Sequence, residues 1–225
     1  MIIVTGSSKG IGNAIANSLA GKGYEVVGVS RTYPENSTFK TYIGDIKNKK
    51  DLLEIANLLK GNQIDALINC AGVGGSFNND FLSHPEEDIR DIFETNVLGT
   101  IYSCQSFIPL MDGKKHTAII NIASLSAHAN TELAVYGSSK AAIYSFTRSL
   151  AKRLSKTMIR PNCISPGLID TDMIKGINPI AKAHGLKMQI IDKMFNVEDI
   201  CNIVELLLDK KSESLTGQTF HVGGY

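Results

Sequence analysis

Residues 5–12 read TGSSKGIG and decide the fold, because they join the apolar residues Ile2, Ile3 and Val4 to a stretch of helical spacing at 11–22. Glycines let the backbone turn tightly and approach a diphosphate, and a helix N-terminus offers unpaired N–H groups and a partial positive charge. The spacing Gly-x3-Gly-x-Gly differs from GxGxxG and from the P-loop with its GK[ST] ending. A structural turn would also use glycines, but the place between a first strand and a first helix predicts nucleotide binding.

Strands and helices alternate along the rest of the chain. Apolar runs predict strands at 2–5, 25–30, 38–43, 66–69, 117–122, 159–164 and 219–222, and helical spacing or length predicts helices at 11–22, 49–59, 86–111, 133–155 and 197–208. This alternation predicts an α/β fold, a Rossmann-type doubly wound parallel sheet in a single domain at 1–225. Residues 30–38 are too few for a crossover helix, so the helix between strands two and three is predicted to be missing. Segment 168–195, with Gly176, Pro179 and Gly185, is predicted to be a substrate flap.

Composition excludes several other classes of protein. The 225 residues are 43% hydrophobic and 20% charged with a formal charge of +1, which excludes disorder and predicts no nucleic-acid or membrane partner. The four cysteines form no CxxC pair, so we expect no metal site and a reducing compartment. The N-terminal residues show no basic leader and no apolar segment of signal-peptide length, which predicts a cytoplasmic protein.

The residues after the second strand indicate which cofactor is bound. NAD enzymes place a carboxylate about 20 residues after the glycines, whereas this chain has Ser30, Arg31 and Thr32 there. A guanidinium suits a 2′-phosphate bidentately, and Lys9 supplies a second positive charge near it. Either cation alone is more often a solvated surface residue, but the two at these positions together predict NADP(H).

A second group of polar residues points to acid–base chemistry. Tyr136 and Lys140 are four residues apart, on one face of a helix. A free tyrosine titrates near 10, so work near pH 7 needs about 3 units, roughly 4 kcal/mol, of phenolate stabilisation, which positive charges supply. Ser124 ends an apolar strand at the ligand-binding edge, where its hydroxyl can bond a substrate carbonyl, and Ser126 is the second candidate. A partly exposed Tyr beside a solvated Lys remains the alternative for the bare YxxxK pattern.

These motifs, in this order, resemble the short-chain dehydrogenase/reductase family over essentially the whole chain. The matching positions are TGSSKGIG at 5–12, Asp45, NCAG at 69–72, Asn96, Ser124, Tyr136 with Lys140, and PGLIDT at 166–171. The resemblance implies that Tyr136 donates a proton to the carbonyl and that Ser124 orients and polarises it. It also implies that Lys140 binds the nicotinamide ribose and lowers the pKa of Tyr136, and that Asn96 holds a relay water.

The cofactor site implied by the residues and the resemblance runs along the same sheet edge. We expect the glycine turn to contact the diphosphate and the basic residues to contact the 2′-phosphate. Asp45 and Ile46 are expected to flank the adenine, and residues 166–171 to cover the nicotinamide. One departure is NCAG in place of the commoner NNAG, which replaces an amide by the thiol of Cys70. The predicted cofactor residues are Gly6, Ser8, Lys9, Gly10, Ile11, Gly12, Ser30, Arg31, Asp45, Ile46, Asn69, Ala71, Gly72, Tyr136, Lys140, Pro166, Gly167, Ile169 and Thr171.

The resulting hypothesis is an enzyme, an NADPH-dependent oxidoreductase that reduces a ketone or aldehyde. A 3-oxoacyl thioester is the leading substrate because PGLIDTDM resembles that branch of the family; sugars, pterins and xenobiotic carbonyls remain open. The predicted substrate wall consists of His128, Asn130, Leu168, His184 and Met188.

Two other functions fit the sequence less well. A non-catalytic NADP(H)-binding regulator is disfavoured because Tyr136 and Lys140 are both present, and a nucleotide-sugar epimerase because its glycine spacing differs. The resemblance also implies a homodimer or homotetramer, formed through the helices at 86–111 and 133–155.

Overall fold

The computed structural model describes residues 1–75, 81–128, 133–175 and 179–224. Within these ranges the strands are β1 (Ile2–Thr5), β2 (Val26–Ser30), β3 (Lys40–Ile43), β4 (Ala66–Asn69), β5 (Thr117–Ile122), β6 (Ile159–Pro166) and β7 (Thr219–Val222). These seven strands form one parallel sheet in the order β3-β2-β1-β4-β5-β6-β7. The predicted parallel sheet is confirmed, and β6 continues two residues beyond its predicted end.

Helices cover both faces of this sheet. In the described part of the chain they are α1 (Gly10–Gly21), α2 (Lys49–Leu58), α3 (Glu86–Phe93), α4 (Thr100–Phe107), α5 (Ala134–Arg153), α6 (Asp172–Lys175), α7 (Pro179–Lys187) and α8 (Val197–Leu208). None of the helices that these residues form combines the length and the apolar character needed to cross a bilayer.

The sheet separates two hydrophobic clusters, and β1 shows how one strand serves both. Ile2 and Val4 belong to the cluster that includes Leu19 of α1 and Leu207 of α8, whereas Ile3 belongs to the cluster of α2 and α4. Successive side chains of a strand point to opposite faces, and each fully buried aliphatic side chain contributes about 1.5–3 kcal/mol. The near-continuous apolar runs of the sequence therefore form strands buried on both faces.

The prediction of one continuous helix at 86–111 is wrong. Between α3 and α4 the backbone forms a π-helical turn, Glu94–Gly99, and α4 gives way to a 3₁₀ turn at Ile108–Leu110. Pro109 explains the second break, because proline has no N–H to donate within an α-helix. The π turn contains Asn96, and π turns often mark functional positions.

The short connection between β2 and β3 is confirmed. Residues 31–39 form bends and no helix, although β2 and β3 pair in parallel from Val27 with Lys40 to Ser30 with Ile43. The sheet edge at β3 consequently lies beside a loop in place of the usual crossover helix.

The segment predicted as a flap begins at the end of β6 and contains α6 and α7. An isolated parallel bridge joins Ile169 to Phe195, and the amide of Asp170 donates to the carbonyl of Phe195 over 3.0 Å. The two ends of the segment are therefore held together beside the sheet. The side chain of His184 lies outside the described residues, as does Asn130 of the predicted substrate wall.

Candidate active site

Several loops meet at the carboxyl edge of the sheet, because parallel strands all end on the same side. Thr5, Asn69 and Asn121 are the register partners at the ends of β1, β4 and β5. The Thr5 hydroxyl oxygen accepts hydrogen bonds from the amides of Cys70 and Ala71, over 3.2 and 3.3 Å. The glycine turn after β1 and the NCAG loop after β4 are thus joined where doubly wound sheets bind ligands.

The glycine turn has the close approaches that its sequence predicted. Gly6 has φ +69°, and a Cβ there would lie 2.6 Å from the Cα of Ala71. A Cβ at Gly12 would lie 2.4 Å from the carbonyl oxygen of Gly6, so the first and third glycines pack the turn against its neighbours. Gly10 has φ +59°, yet a Cβ there would meet no atom within 4 Å. The turn is therefore tight on its protein side and open at Gly10.

A cleft of about 270 Å³ lies over this open side of the turn. Its lining combines the first turn of α1, at Gly10, Asn13 and Ala14, with residues 170–172 and Val197. The glycine turn and the segment after β6 therefore face one another across a cleft, as the cofactor prediction requires. Lys9, the residue before α1, makes no side-chain cap, so the helix N-terminus remains available to an anion.

The two predicted phosphate-binding cations follow neighbouring strands. Lys9 follows β1 and Arg31 follows β2, and the two strands pair at Thr5 and Val29. Both cations are exposed, and neither forms an ion pair with any residue in the described ranges. The cations are consequently available to a 2′-phosphate bound beside the turn.

Ser124 and Tyr136 form a hydrogen-bonded pair of side chains at the same edge. Ser124 lies just beyond β5, and its Oγ also accepts from the amide of Ser126 over 3.2 Å. Ser126 therefore contributes its main chain to holding Ser124, which supports Ser124 as the hydroxyl that contacts substrate. Lys140, on the same helix face as Tyr136, is 5% exposed, and its Nζ donates to the carbonyl of Ile122 over 3.0 Å.

Burial has the largest effect on the pKa values of Tyr136 and Lys140. It raises the pKa of Tyr136 to about 12, and the hydrogen bond from Ser124 counters this only in part. The Nζ of Lys140 is 5.8 Å from the Tyr136 ring centroid and bonds Ile122, and the lowering of the Tyr136 pKa by Lys140 stays a prediction. Burial also lowers the pKa of Lys140, because a desolvated ammonium is disfavoured. Tyr136 is a neutral phenol at pH 7 and holds a proton to donate.

Asn96 acts as a clamp: from the π-helical turn, its side chain hydrogen-bonds both the loop after β4 and helix α5. Its Oδ1 accepts from the amide of Val73 over 2.8 Å, and its Nδ2 donates to the Val73 carbonyl and the Ser139 hydroxyl, both over 3.0 Å. Ser139 in turn donates to the carbonyl of Tyr136 over 2.7 Å. Both N–H donors of this side chain are engaged. Its Oδ1 accepts one bond, and its main-chain carbonyl accepts one from Thr100 over 2.9 Å, so each oxygen keeps an acceptor site and the relay water stays a prediction.

Three predicted cofactor residues turn their side chains inward. Asn69 is 3% exposed, and its Nδ2 donates to Asn121 over 2.8 Å and to the sulfur of Cys104 over 3.3 Å. Ile46 packs where a Cβ on Gly99 would lie, and Ile169 is part of the core. Asn69 ends a strand that is buried on both faces, whereas Ile46 lies in the turn after β3 and Ile169 in the segment after β6. With the side chains packed inward, these residues offer their main chains to a cofactor.

Other predicted residues lie at the same edge of the sheet. A Cβ on Gly72 would lie 3.2 Å from both Lys140 Nζ and Asn96 Oδ1, so this glycine admits both groups. Asp45 caps the turn after β3, its Oδ1 accepting from the amide of Lys47 over 2.9 Å. Ser30 directs its hydroxyl to the Thr32 carbonyl over 2.8 Å. The remaining predicted positions are Ser8 and Ile11 in the glycine turn, Pro166 at the end of β6, and Gly167 and Thr171 in the segment after it.

Tyr144 is a site residue that the sequence prediction missed. Its hydroxyl donates to the carbonyl of Ser124 over 2.7 Å and bonds the Ser165 hydroxyl. The His128 ring lies beside it, with centroids 4.8 Å apart, and 4.6 Å from the ring of His221. Burial lowers the pKa of both imidazoles. The signal was available: Tyr136, Lys140 and Tyr144 recur every four residues on one helix face.

Gln189 is a second missed residue. It is 6% exposed, and its Oε1 accepts from the amide of Leu168 over 2.5 Å. Its Nε2 donates to the carbonyls of Ile191 and Lys193 over 3.2 and 2.9 Å. The side chain thus fixes the segment after β6 to the end of the flap, and no local sequence pattern marks it.

Comparisons with known proteins give relatives along the whole chain. A family model described as enoyl-(acyl carrier protein) reductase matches residues 6–225. The 3-oxoacyl-[acyl-carrier-protein] reductase FabG of Escherichia coli (strain K12) is 30% identical over 233 residues, which span 99% of this chain and 95% of FabG. Ligand-free aldohexose dehydrogenase (AldT) of Thermoplasma acidophilum is similar with a TM-score of 0.86 and 25% identity, over 99% and 92% of the two chains. ElxO with NADP bound has the same fold, with a TM-score of 0.84 at 23% identity over 98% and 96%.

Proposed function

The chain belongs to the short-chain dehydrogenase/reductase family of oxidoreductases, and from that premise we propose that it reduces a ketone or aldehyde with NADPH. The observation that carries this proposal is the hydrogen-bonded pair Ser124 and Tyr136, placed with Lys140 beside the open glycine turn. A neutral phenol and a serine hydroxyl are the two donors that a carbonyl oxygen needs as it becomes an alkoxide.

NADPH supplies the hydride when bound, and the protein residues position the substrate and supply the proton. Ser124 donates a hydrogen bond to the carbonyl oxygen and orients it. Tyr136, kept protonated by burial, transfers its phenolic proton to that oxygen. Lys140 has three donors, of which the bond to Ile122 uses one, so two N–H groups remain for ribose hydroxyls.

Cofactor binding is assigned to the cleft over the glycine turn. The open face at Gly10 and the uncapped N-terminus of α1 fit a diphosphate, because unpaired N–H groups at a helix start bind anions. Lys9 and Arg31 favour a 2′-phosphate over a bare ribose. ElxO was solved with NADP bound, which agrees with this choice.

The substrate class we favour is a 3-oxoacyl thioester. FabG is named for that substrate, whereas AldT is named for an aldohexose, so a sugar is the competing substrate. The His128 ring packs beside the rings of Tyr144 and His221, Tyr144 donates to the Ser124 carbonyl, and burial lowers the pKa of both imidazoles. Uncharged rings here suit an acyl chain and a sugar alike, so the preference for the acyl thioester rests on the 30% identity to FabG over 99% of this chain.

A turnover screen tests the function. The purified protein is mixed with NADPH and, separately, with acetoacetyl thioester, a simple ketone, an aldehyde and a crotonyl thioester, while NADPH absorbance is followed. Oxidation of an aldohexose with NADP⁺ is measured in parallel. We expect turnover with the acetoacetyl thioester. Turnover of the crotonyl thioester alone would contradict carbonyl reduction, and NADPH binding without any turnover would favour the non-catalytic regulator.

We also propose that the protein is a cytoplasmic homodimer or homotetramer that acts on a small molecule. All four cysteines are free, in keeping with a reducing compartment. Long helices such as α5 are the surfaces through which we expect two copies to meet. Light scattering measures the mass of the assembly, and a fluorescent fusion reports its location; a monomer or a membrane-bound signal would contradict these proposals.

A further inference from the structure

The loop 31–39 begins with Arg31 and occupies the place of the missing crossover helix. Phe39 at its end packs against the core cluster of α1 and α8. A Cβ on Gly28 of β2 would lie 2.7 Å from Phe39 Cε2 and 2.3 Å from Ser7 Oγ. The bare surface of Gly28 thus admits both the loop and the glycine turn, so the two lie against the same spot on the sheet.

Asn17 of α1 holds this loop in place, and its side-chain amide uses every hydrogen-bonding site that it has. Its Nδ2 donates to the Asn36 carbonyl over 3.3 Å and to Asn13 Oδ1 over 3.1 Å. Its Oδ1 accepts from the amide and from the hydroxyl of Thr38, both over 3.2 Å. An asparagine amide has two N–H donors and two acceptor sites, and here each is used. A side chain with every site engaged fixes the loop in one position on α1.

Asn13 continues the connection to the phosphate-binding turn. Its Nδ2 donates to the main-chain carbonyl of Ser7 over 3.0 Å, and it also lines the cleft. The two asparagines lie one helical turn apart, on the same face of α1. A hydrogen-bonded ladder therefore runs from the turn through Asn13 and Asn17 to the loop that begins at Arg31.

We propose that Asn17 is a positioning residue for recognition of the 2′-phosphate: it replaces the missing crossover helix as the support of the loop after Arg31. This inference rests on the proposed function, specifically on NADP(H) binding at Arg31. Without the hydrogen bonds of Asn17, residues 32–38 gain conformational freedom, and binding NADPH has to restrict that freedom again. NADH has no 2′-phosphate and depends less on the loop.

The test is the affinity of the purified protein for each reduced cofactor, measured by fluorescence titration without substrate. Asn17→Leu removes all four bonds, and we expect its Kd for NADPH to rise about 10-fold while that for NADH changes less than about 2-fold. Asn17→Asp keeps the acceptor for Thr38 but loses both donors, so a rise of about 3-fold is expected. Asn57→Leu, at an exposed position of α2, is the matched control and leaves both affinities unchanged.

A double-mutant cycle that combines Asn17→Leu with Arg31→Ala separates this inference from the proposed function. If Arg31→Ala abolishes the preference for NADPH, we expect Asn17→Leu to add almost nothing in its presence, since both act on one phosphate. The inference is overturned if Arg31→Ala lowers NADPH affinity while both Asn17 variants bind NADPH like wild type. It is also overturned if the affinities of the Asn17 variants for NADPH and NADH fall by the same factor. In both cases the proposed cofactor site stands. If Arg31→Ala itself leaves the preference unchanged, the proposed 2′-phosphate site is wrong. Asn17→Asp carries the test if Asn17→Leu does not fold.

Discussion

Gly12 is the position at which one added methyl group perturbs the phosphate-binding turn most directly. A Cβ there would lie 2.4 Å from the Gly6 carbonyl oxygen, about 1 Å short of ordinary contact at 3.4 Å. Gly6 has little room to yield, because its Cα side faces Ala71 and its amide donates to Val29 over 2.8 Å. Overpacking of this kind costs about 1–3 kcal/mol, and better helix propensity returns less than about 1 kcal/mol.

We therefore expect Gly12→Ala to lose about 1–2 kcal/mol of unfolding free energy, which lowers Tm by about 2–8 °C in a chain of this length. The displaced N–H groups also weaken diphosphate binding, and the Kd for NADPH is expected to rise at least about 10-fold. Thermal unfolding and fluorescence titration measure the two effects.

Gly21→Ala, at the other end of α1, is the matched control. A Cβ at Gly21 would meet no atom within 4 Å, so its Tm should equal or exceed that of wild type and its NADPH affinity should not change. Equal Tm and equal NADPH affinity for Gly12→Ala and Gly21→Ala would refute the assignment of the turn.

Three further predictions concern the site. Asn96→Ala leaves the main chain of Val73 unpaired, and chemical denaturation should show a loss of about 2–4 kcal/mol of unfolding free energy together with lost turnover; lost turnover at full stability would contradict the clamp. Ser124→Ala removes the hydroxyl that bonds Tyr136, so turnover of the acetoacetyl thioester should fall while NADPH still binds, and wild-type turnover would contradict the pairing. Burial lowers the pKa of His128, so the unfolded state binds its proton more tightly and stability falls as pH drops below about 6.5; Tm of His128→Gln should fall less over that range, and an identical decline would refute this.

The strands and the glycine turn were predictable because their signals are local. Each buried strand is a short apolar run, and Gly6, Gly10 and Gly12 lie at the junction of the first strand and helix. The break between α3 and α4 was not predictable, because Asn96 contacts Val73, 23 residues away along the chain. Helical spacing across the π-helical turn is preserved well enough to suggest one helix.

The sequence pattern indicates candidate site residues but not the electrostatics around them. Tyr136 and Lys140 were found by spacing, yet the pKa of Tyr136 depends on burial, which the motif does not contain. The side-chain direction of Asn69 was not predictable, because a strand buried on both faces shows no polar alternation. Asn17 was missed for a similar reason, since its partners in the loop lie 19 and 21 residues away along the chain.

Replacement of the proposed proton donor tests the central claim most directly. Tyr136→Phe removes only the phenolic hydroxyl, so NADPH should bind with wild-type affinity in a fluorescence titration. Turnover of the acetoacetyl thioester should fall by about 10²–10⁴-fold, the usual contribution of a positioned acid. That loss with intact NADPH binding is the predicted result, and near-wild-type turnover by Tyr136→Phe would contradict the account.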